Sequence, residues 1–374
     1  MGYVLISFLS WLILRFLVLR RLPCGRPART VLSCLFFLPI LYYAYLQASC
    51  FIVLPEPSFG TAILMGAWCG TVLIAAPPAS AGVLCLMRFG RKKSMRRVGA
   101  GACLIFSLFF SSVLVLCGLR EGLSVPSVQE VSVNLPAGCD ALDGIRMAVI
   151  SDLHLGCATP PGWLEEMLRR IKEARADIIL LDGDLSDGRP EDRRSDLARL
   201  GTLEAPLGVW AVPGNHEYYV DYAGIMAALP DSVHVLANSH ARLRTSRGTF
   251  VLAGVTDRKA RARGLPGPDI EKALSGLSGD GAIGPVLLMS HRPAGWSRNA
   301  ARGVVLQICG HTHGGQFIWN RLFLRLIGRR YLHGLFERNS SLLWVGSGAS
   351  QWFGFPLRVG VPPEIAVLNL HAGS

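Results

Sequence analysis

The sequence predicts an α/β protein in two parts: about four N-terminal transmembrane helices over residues 1–121, then an α/β layer domain over residues 122–374. Three observations predict it. The apolar excess, 51% hydrophobic residues against 17% charged with a mean hydropathy of +0.37, is concentrated at the N-terminal end. Charge divides the same way: residues 1–121 hold 12 Lys/Arg and 2 Asp/Glu, whereas the remainder holds 26 and 24. From about Asn134 short apolar runs alternate with amphipathic stretches, the pattern of sheets layered with helices. Disorder and collagen-like repeats are excluded by this composition. No nucleic-acid partner is expected, because such a site wants its positive charge arrayed on the folded domain and here it lies in the apolar part.

Four apolar stretches, 2–19, 30–54, 58–87 and 98–119, each approach or exceed the ~20 residues of a bilayer-crossing helix. The last has no ionisable side chain except its Cys thiols. The first carries Arg15, which snorkels to a headgroup or marks an interfacial helix instead. Pro77 and Pro78 fall in the middle of the third, which predicts a kink or a re-entrant segment. The N-terminus lacks the basic start and small-residue cleavage site of a secretory signal, so the anchor is expected to remain. Arg20, Arg21, Arg26 and Arg29 occupy one loop and Arg88, Arg91, Lys92, Lys93, Arg96 and Arg97 another, while 55–57 carries only Glu56. Basic loops stay cytoplasmic, so a cell-membrane protein with its C-terminal domain on the extracytoplasmic side is expected.

Seven of the ten cysteines, Cys24, Cys34, Cys50, Cys69, Cys85, Cys103 and Cys117, lie in the apolar part and read as small apolar residues. Cys139, Cys157 and Cys309 have no metal-ligand or paired spacing and read as structural; a Cys139–Cys157 disulfide has no support beyond proximity in sequence.

In the C-terminal part, strands are predicted at 145–150, 178–181, 209–212, 250–255, 286–289, 304–308, 342–345 and 365–368, with helices at 162–175, 192–200 and 222–229. Polar residues gather where the apolar runs stop. Asp152 and His154 follow the first in SDLHLG, Asp184 and Asp187 the second in GDLSDG, and Asn215 and His216 the third in GNHE. His291 closes the fifth in SHRP, and His311 and His313 follow the sixth in GHTHGG. Ligands of open α/β sheets bind beyond the carboxyl ends of the strands, so five strand ends deliver Asp, Asn and His to one rim.

Imidazoles with carboxylates, one amide oxygen and no thiolate suit borderline divalent ions such as Mn, Fe, Zn or Ni. About seven donors exceed one ion's needs and fit two ions ~3.5–4 Å apart, the arrangement that clamps both oxygens of an in-line phosphoryl displacement.

The series DLH, GDLSD, GNHE, SHRP, GHTHGGQ resembles the calcineurin-like metallophosphoesterase superfamily over roughly residues 130–370. The ending RYLHGLF, LLWVGSGAS, PLRVGVPPEI resembles its membrane-associated bacterial branch. The resemblance implies a fold of two mixed β-sheets flanked by helices. It implies that Asp152, His154 and His313 bind one ion, that Asn215, His291 and His311 bind the other, and that Asp184 bridges them. Water or hydroxide between the ions would attack phosphorus, with His216 protonating the leaving oxygen or stabilising developing charge. Asp187 would orient His216, with Glu217 the alternative for that role. SDG is also a good turn, Gly314 and Gly315 also suit one, and His234, His240, His333 and His371 read as structural.

Residues 317–335, FIWNRLFLRLIGRRYLHGL, interleave aromatic, aliphatic and basic side chains. Two readings stand: a segment for a bilayer surface or anionic headgroup, or an insertion packed on its own domain with its arginines in solvent. The sequence thus points to a membrane-anchored, dinuclear metal-dependent hydrolase of a phosphate ester or diester, in a lipid or envelope component. The alternatives are a UDP-2,3-diacylglucosamine-type pyrophosphatase of lipid A synthesis, which needs a cytoplasmic site, and a non-catalytic membrane binding module that keeps the fold.

Overall fold

A computed structural model describes residues 2–48, 56–90, 92–277, 284–338 and 340–373. Cys50, the end of the second apolar stretch, Pro55 and Arg91 lie outside the described residues. The chain divides into two compact units, Met1–Glu121 with Phe355–Leu357, and Gly122–Gly354 with Arg358–Ser374.

The first unit is built from α1 (Gly2–Ile13), α2 (Arg26–Ala48), α3 (Phe59–Phe89) and α4 (Lys93–Gly122). Three of these, α2, α3 and α4, include stretches long and apolar enough to cross a membrane. The first stretch departs from the expectation. Its α-helix lasts 12 residues, then loosens into a π-helix at Leu14–Val18 and tightens into a 3-10 turn at Leu19–Arg21. The helical path itself continues through all three segments, from Gly2 to Arg21. Arg15 Nη1 donates to Ser33 Oγ at 2.9 Å, and its guanidinium lies 5.3 Å from the Trp11 ring centre. Pro77–Pro78 does not break α3, which continues for 31 residues from a Ser58 cap whose Oγ accepts the Thr61 N–H. Two prolines remove two hydrogen bonds, a loss that packed helices tolerate, and Ala75, Ala76, Ala79 and Ser80 around them are all buried against neighbours.

The second unit contains two six-stranded sheets. Its strands are β1 (Ser127–Ala137), β2 (Arg146–Ile150), β3 (Ile178–Asp182), β4 (Val209–Val212), β5 (Val233–Val235), β6 (Ser239–Thr245), β7 (Gly248–Gly254), β8 (Val286–Met289), β9 (Val304–Cys309), β10 (Gly334–Arg338), β11 (Ser341–Val345) and β12 (Glu364–Gly373). One sheet runs β1-β12-β2-β3-β4-β5 and the other β10-β11-β9-β8-β7-β6. Strands β2 to β5 are mutually parallel, as are β7, β8, β9 and β11; β12 runs antiparallel to β2, and β6 and β10 are antiparallel edges. Both sheets are therefore mixed. The domain pattern begins at Ser127, earlier than Asn134, because β1 is an edge strand whose solvent side is polar.

Met147, Val149, Leu180 and Leu368 of one sheet meet Phe250, Leu252, Leu287 and Leu306 of the other in a fully buried seam. The outer face of the first sheet is covered by α5 (Trp163–Glu173), α6 (Pro190–Arg199) and α7 (Tyr222–Ala227) through Trp163, Met167, Ile171, Leu197 and Ile225. The second sheet is covered in part by α8 (Ile270–Ala273) and α9 (Trp296–Ala300), through Ile270, Ala273 and Trp296. One further helix, α10 (Ile318–Leu326), follows the last histidine motif. No disulfide joins the described cysteines.

Candidate metal centre

Parallel strands put their carboxyl ends on one side, and the loops after β2, β3, β4, β8 and β9 carry every predicted ligand. These loops turn sharply. Asp152, His154, Asp184, His311 and His313 all adopt positive φ, between 43° and 66°, and make up five of the nine non-glycine residues described that do so. Each such residue costs on the order of 1 kcal/mol or more and persists only where packing enforces it, so strain is concentrated at this rim. Close approach requires glycine at Gly214, where a Cβ would lie 2.2 Å from Asp184 Oδ1. Gly314 and Gly315 take positive φ, as the tight turn read from the sequence requires.

Three donor groups converge, each with its ligand atoms within 4.8 Å of one another: Asp152, His154 and His313; His154, Asp184 and His216; and Asp184, His291 and His311. His313 Nε2 lies 3.3 Å from Asp152 Oδ1 and 3.2 Å from His154 Nε2. Asp184 Oδ2 lies 3.1 Å from His291 Nε2 and 3.7 Å from His154 Nε2, while its Oδ1 accepts the His216 backbone N–H at 2.8 Å. Asn215 faces the same space: its Oδ1 accepts from Arg292 Nη2 at 2.6 Å, and Arg292 also reaches His311 Nε2.

Partners on the far side of each ring set the tautomer. Asp187 Oδ1 accepts from Nδ1 of both His216, at 2.5 Å, and His154, at 3.2 Å. His291 Nδ1 donates to the Asp182 carbonyl at 2.7 Å, and His313 Nδ1 to the Ser350 carbonyl at 3.3 Å. With Nδ1 used outward, each Nε2 is turned inward as a metal donor or proton carrier.

The family profile of calcineurin-like phosphoesterases matches residues 145–315, which span all five motifs. This chain belongs to the calcineurin-like phosphoesterase superfamily. An uncharacterized metallophosphoesterase of Helicobacter pylori is 34% identical over 257 residues, covering 68% of this chain and 66% of the relative. Proteins named as transmembrane with a metallophosphoesterase domain are 29% identical in Danio rerio, over 76% of this chain and 68% of that one, and 30% in Bos taurus, over 71% and 62%. The chain thus spans about two thirds of these relatives' lengths. The relatives' names and its own α2, α3 and α4 support membrane association.

The electrostatics of the phosphoesterase centre fit bound cations. Burial alone would raise the carboxyls of Asp152, Asp184 and Asp187, yet their facing histidines hold all three well below the usual carboxylate range. Burial works to lower His154 as well, but Asp187, Asp184 and Asp152 push it up to about 9. Asp184 likewise raises His291 against its burial, whereas burial outweighs Asp152 at His313 and takes that ring down to about 4. The carboxylates favour the charged form, and the positive charge they draw toward His154 and His291 is of the sign that cations would supply. Ligation of an ion by an imidazole competes with its proton.

Three contributors to the phosphoesterase fold were not legible as such. Glu217 does not orient His216; it is fully buried and accepts the backbone N–H groups of Asp184, Leu185 and Gly214 at 3.1, 2.7 and 2.7 Å, clamping two ligand loops together. Arg358 is wholly buried, donates to the carbonyls of Ser347 and Val361 at 2.8 and 3.1 Å, and stands 3.3 Å from His313 Nδ1. Arg292 is held by Asp257 at the rim. The only available signals were a single Arg in the apolar run PLRVG and an Arg directly after a motif histidine. Of the histidines read as structural, His240 and His333 bond to the Ala273 carbonyl and the Glu364 carboxylate.

Proposed function

We propose that this protein is a membrane-anchored, dinuclear metal-dependent phosphoesterase that hydrolyses a phosphate ester or diester of a lipid or envelope component on the extracytoplasmic side. The observation that carries the dinuclear reading is the sharing of side chains. His154 and Asp184 each belong to two of the three converging groups, so the donors spread over more than one overlapping set, which supports more than one ion. Asp152, His154 and His313 would hold one ion, Asn215, His291 and His311 the other, with Asp184 common to both. Bound by these residues, divalent ions of the Mn, Fe, Zn or Ni type would supply Lewis acidity at a phosphoryl centre. His216 holds a proton for the leaving oxygen at Nε2, and Asp187 fixes its ring through Nδ1. Arg292, at the edge of this space, offers a permanent positive charge to a phosphoryl group.

Metal analysis of the detergent-purified chain is expected to return two divalent ions per chain. A stoichiometry that saturates at one would end the dinuclear reading. A reporter fused after the C-terminus is expected to signal outside the cytoplasm. An inside signal would overturn that side and favour a cytoplasmic pyrophosphatase.

A further inference from the structure

Helix α10 is amphipathic in the opposite sense from a helix of a water-soluble surface. Two adjoining rows at four-residue spacing, Ile318, Leu322 and Leu326 beside Trp319, Phe323 and Ile327, form one continuous apolar face. That face points outward: Leu322 and Phe323 are each 56% exposed and Leu326 86%, and no residue of the helix is buried. The polar side faces the protein instead. Asn320 Nδ2 donates to the Gly315 carbonyl at 2.8 Å and Arg321 Nε to the Gly314 carbonyl at 2.7 Å, binding the helix to the loop that carries His313. An insertion packed on its own domain would bury the leucines, so their exposure favours the bilayer-surface reading of the segment.

Charge and position narrow what covers such a face. Arg325, Arg329 and Arg330 are exposed beside it. A cavity of about 470 Å³ opens against the helix, with Leu324, Arg329 and Arg330 on one side and Arg258, Arg292 and His311 on the other. A contiguous apolar surface fringed by arginine matches the acyl boundary and headgroups of an anionic bilayer, and α2, α3 and α4 of the same chain are suited to crossing one.

We propose that α10 is an interfacial helix that docks on an anionic bilayer surface, and that the cavity beside His311 takes its phosphoester from the headgroup layer. The second half rests on the phosphoesterase reading above; the docking does not.

The full chain would be placed in nanodiscs of phosphatidylcholine, and of equal parts phosphatidylcholine and phosphatidylglycerol, and its hydrogen exchange followed. Residues 317–330 are expected to exchange about fivefold or more slowly in the anionic discs, the effect of a single basic side chain at such a surface. Paired Leu322→Asp and Phe323→Asp changes should erase the difference while β2, β3 and β4 exchange as before. If that pair disturbs folding, Arg325→Glu with Arg329→Glu tests the same claim. Equal exchange of this segment in both discs, or a difference that survives both variants, would overturn the proposal. The readout needs no turnover, so a chain that docks without hydrolysing overturns the enzymatic reading alone, and one that hydrolyses without lipid-dependent protection overturns this one alone.

Discussion

Replacing Asp184 by Asn together with His216 by Ala is expected to reduce phosphoester turnover at least about 10³-fold. Loss of an outer partner of a metal ligand already costs roughly 10- to 100-fold. Asp184 is closer to the chemistry than that: its Oδ2 is common to two donor groups and faces His291 at 3.1 Å. Asn keeps the shape and the Oδ1 contact to the His216 backbone but removes the charge that two cations would share. Removing the His216 ring takes away the proposed proton donor, worth roughly 10² to 10⁴ where general acid catalysis operates. The two losses will not simply multiply, because the groups act as a unit. Steady-state hydrolysis of a soluble phosphodiester, alongside metal content, measures both. Ordinary turnover in the double variant would remove this centre as the active site.

Prolonged chelation should abolish activity, and Mn or a similar ion should restore it; activity untouched by chelator would count decisively against a metal mechanism. The metal-free protein also carries a pH signature. His154 is pushed up to about 9 from an unfolded value near 6.5. A raised pKa contributes stability that is complete below about 6.5 and lost as pH rises through about 9. His291 acts in the same direction, while His313, held at about 4, is neutral throughout that window and adds nothing to it. Asp152, Asp184 and Asp187 behave oppositely, contributing above about pH 4 and losing their contribution only in acid. The chelated protein should therefore melt at lower temperature at pH 9 than at pH 6.5. The rise in melting temperature on adding Mn should grow over the same interval, because protons no longer compete for the imidazoles. A metal-induced shift that shrank toward pH 9 would show that these rings are not ligands.

The fold was readable where strands are buried on both faces. All eight strands expected from the sequence, β2, β3, β4, β7, β8, β9, β11 and β12, are interior strands, and the four that were missed, β1, β5, β6 and β10, are the four sheet edges. An interior strand such as IILLD is a run of apolar residues that periodicity reveals, while an edge such as SHARLRT has one side in water and reads as polar loop. The same physics explains the first apolar stretch. Composition predicts a span, but not that hydrogen bonding changes register at Leu14 and ends the α-helix after 12 residues.

By itself the sequence determined the superfamily, the apolar anchor and which side chains gather at the strand ends, because motif order and hydrophobic periodicity are local properties of the chain. Tertiary structure alone decided that Asp187 also holds His154, that backbone carbonyls orient His291 and His313, that Glu217 clamps the ligand loops and that Arg358 is buried beside His313. It also decided that α10 turns its apolar face outward. Those outcomes depend on atoms brought together from distant points of the chain, and on which face of a helix finds a neighbour, and neither is encoded in the spacing of residues along one segment.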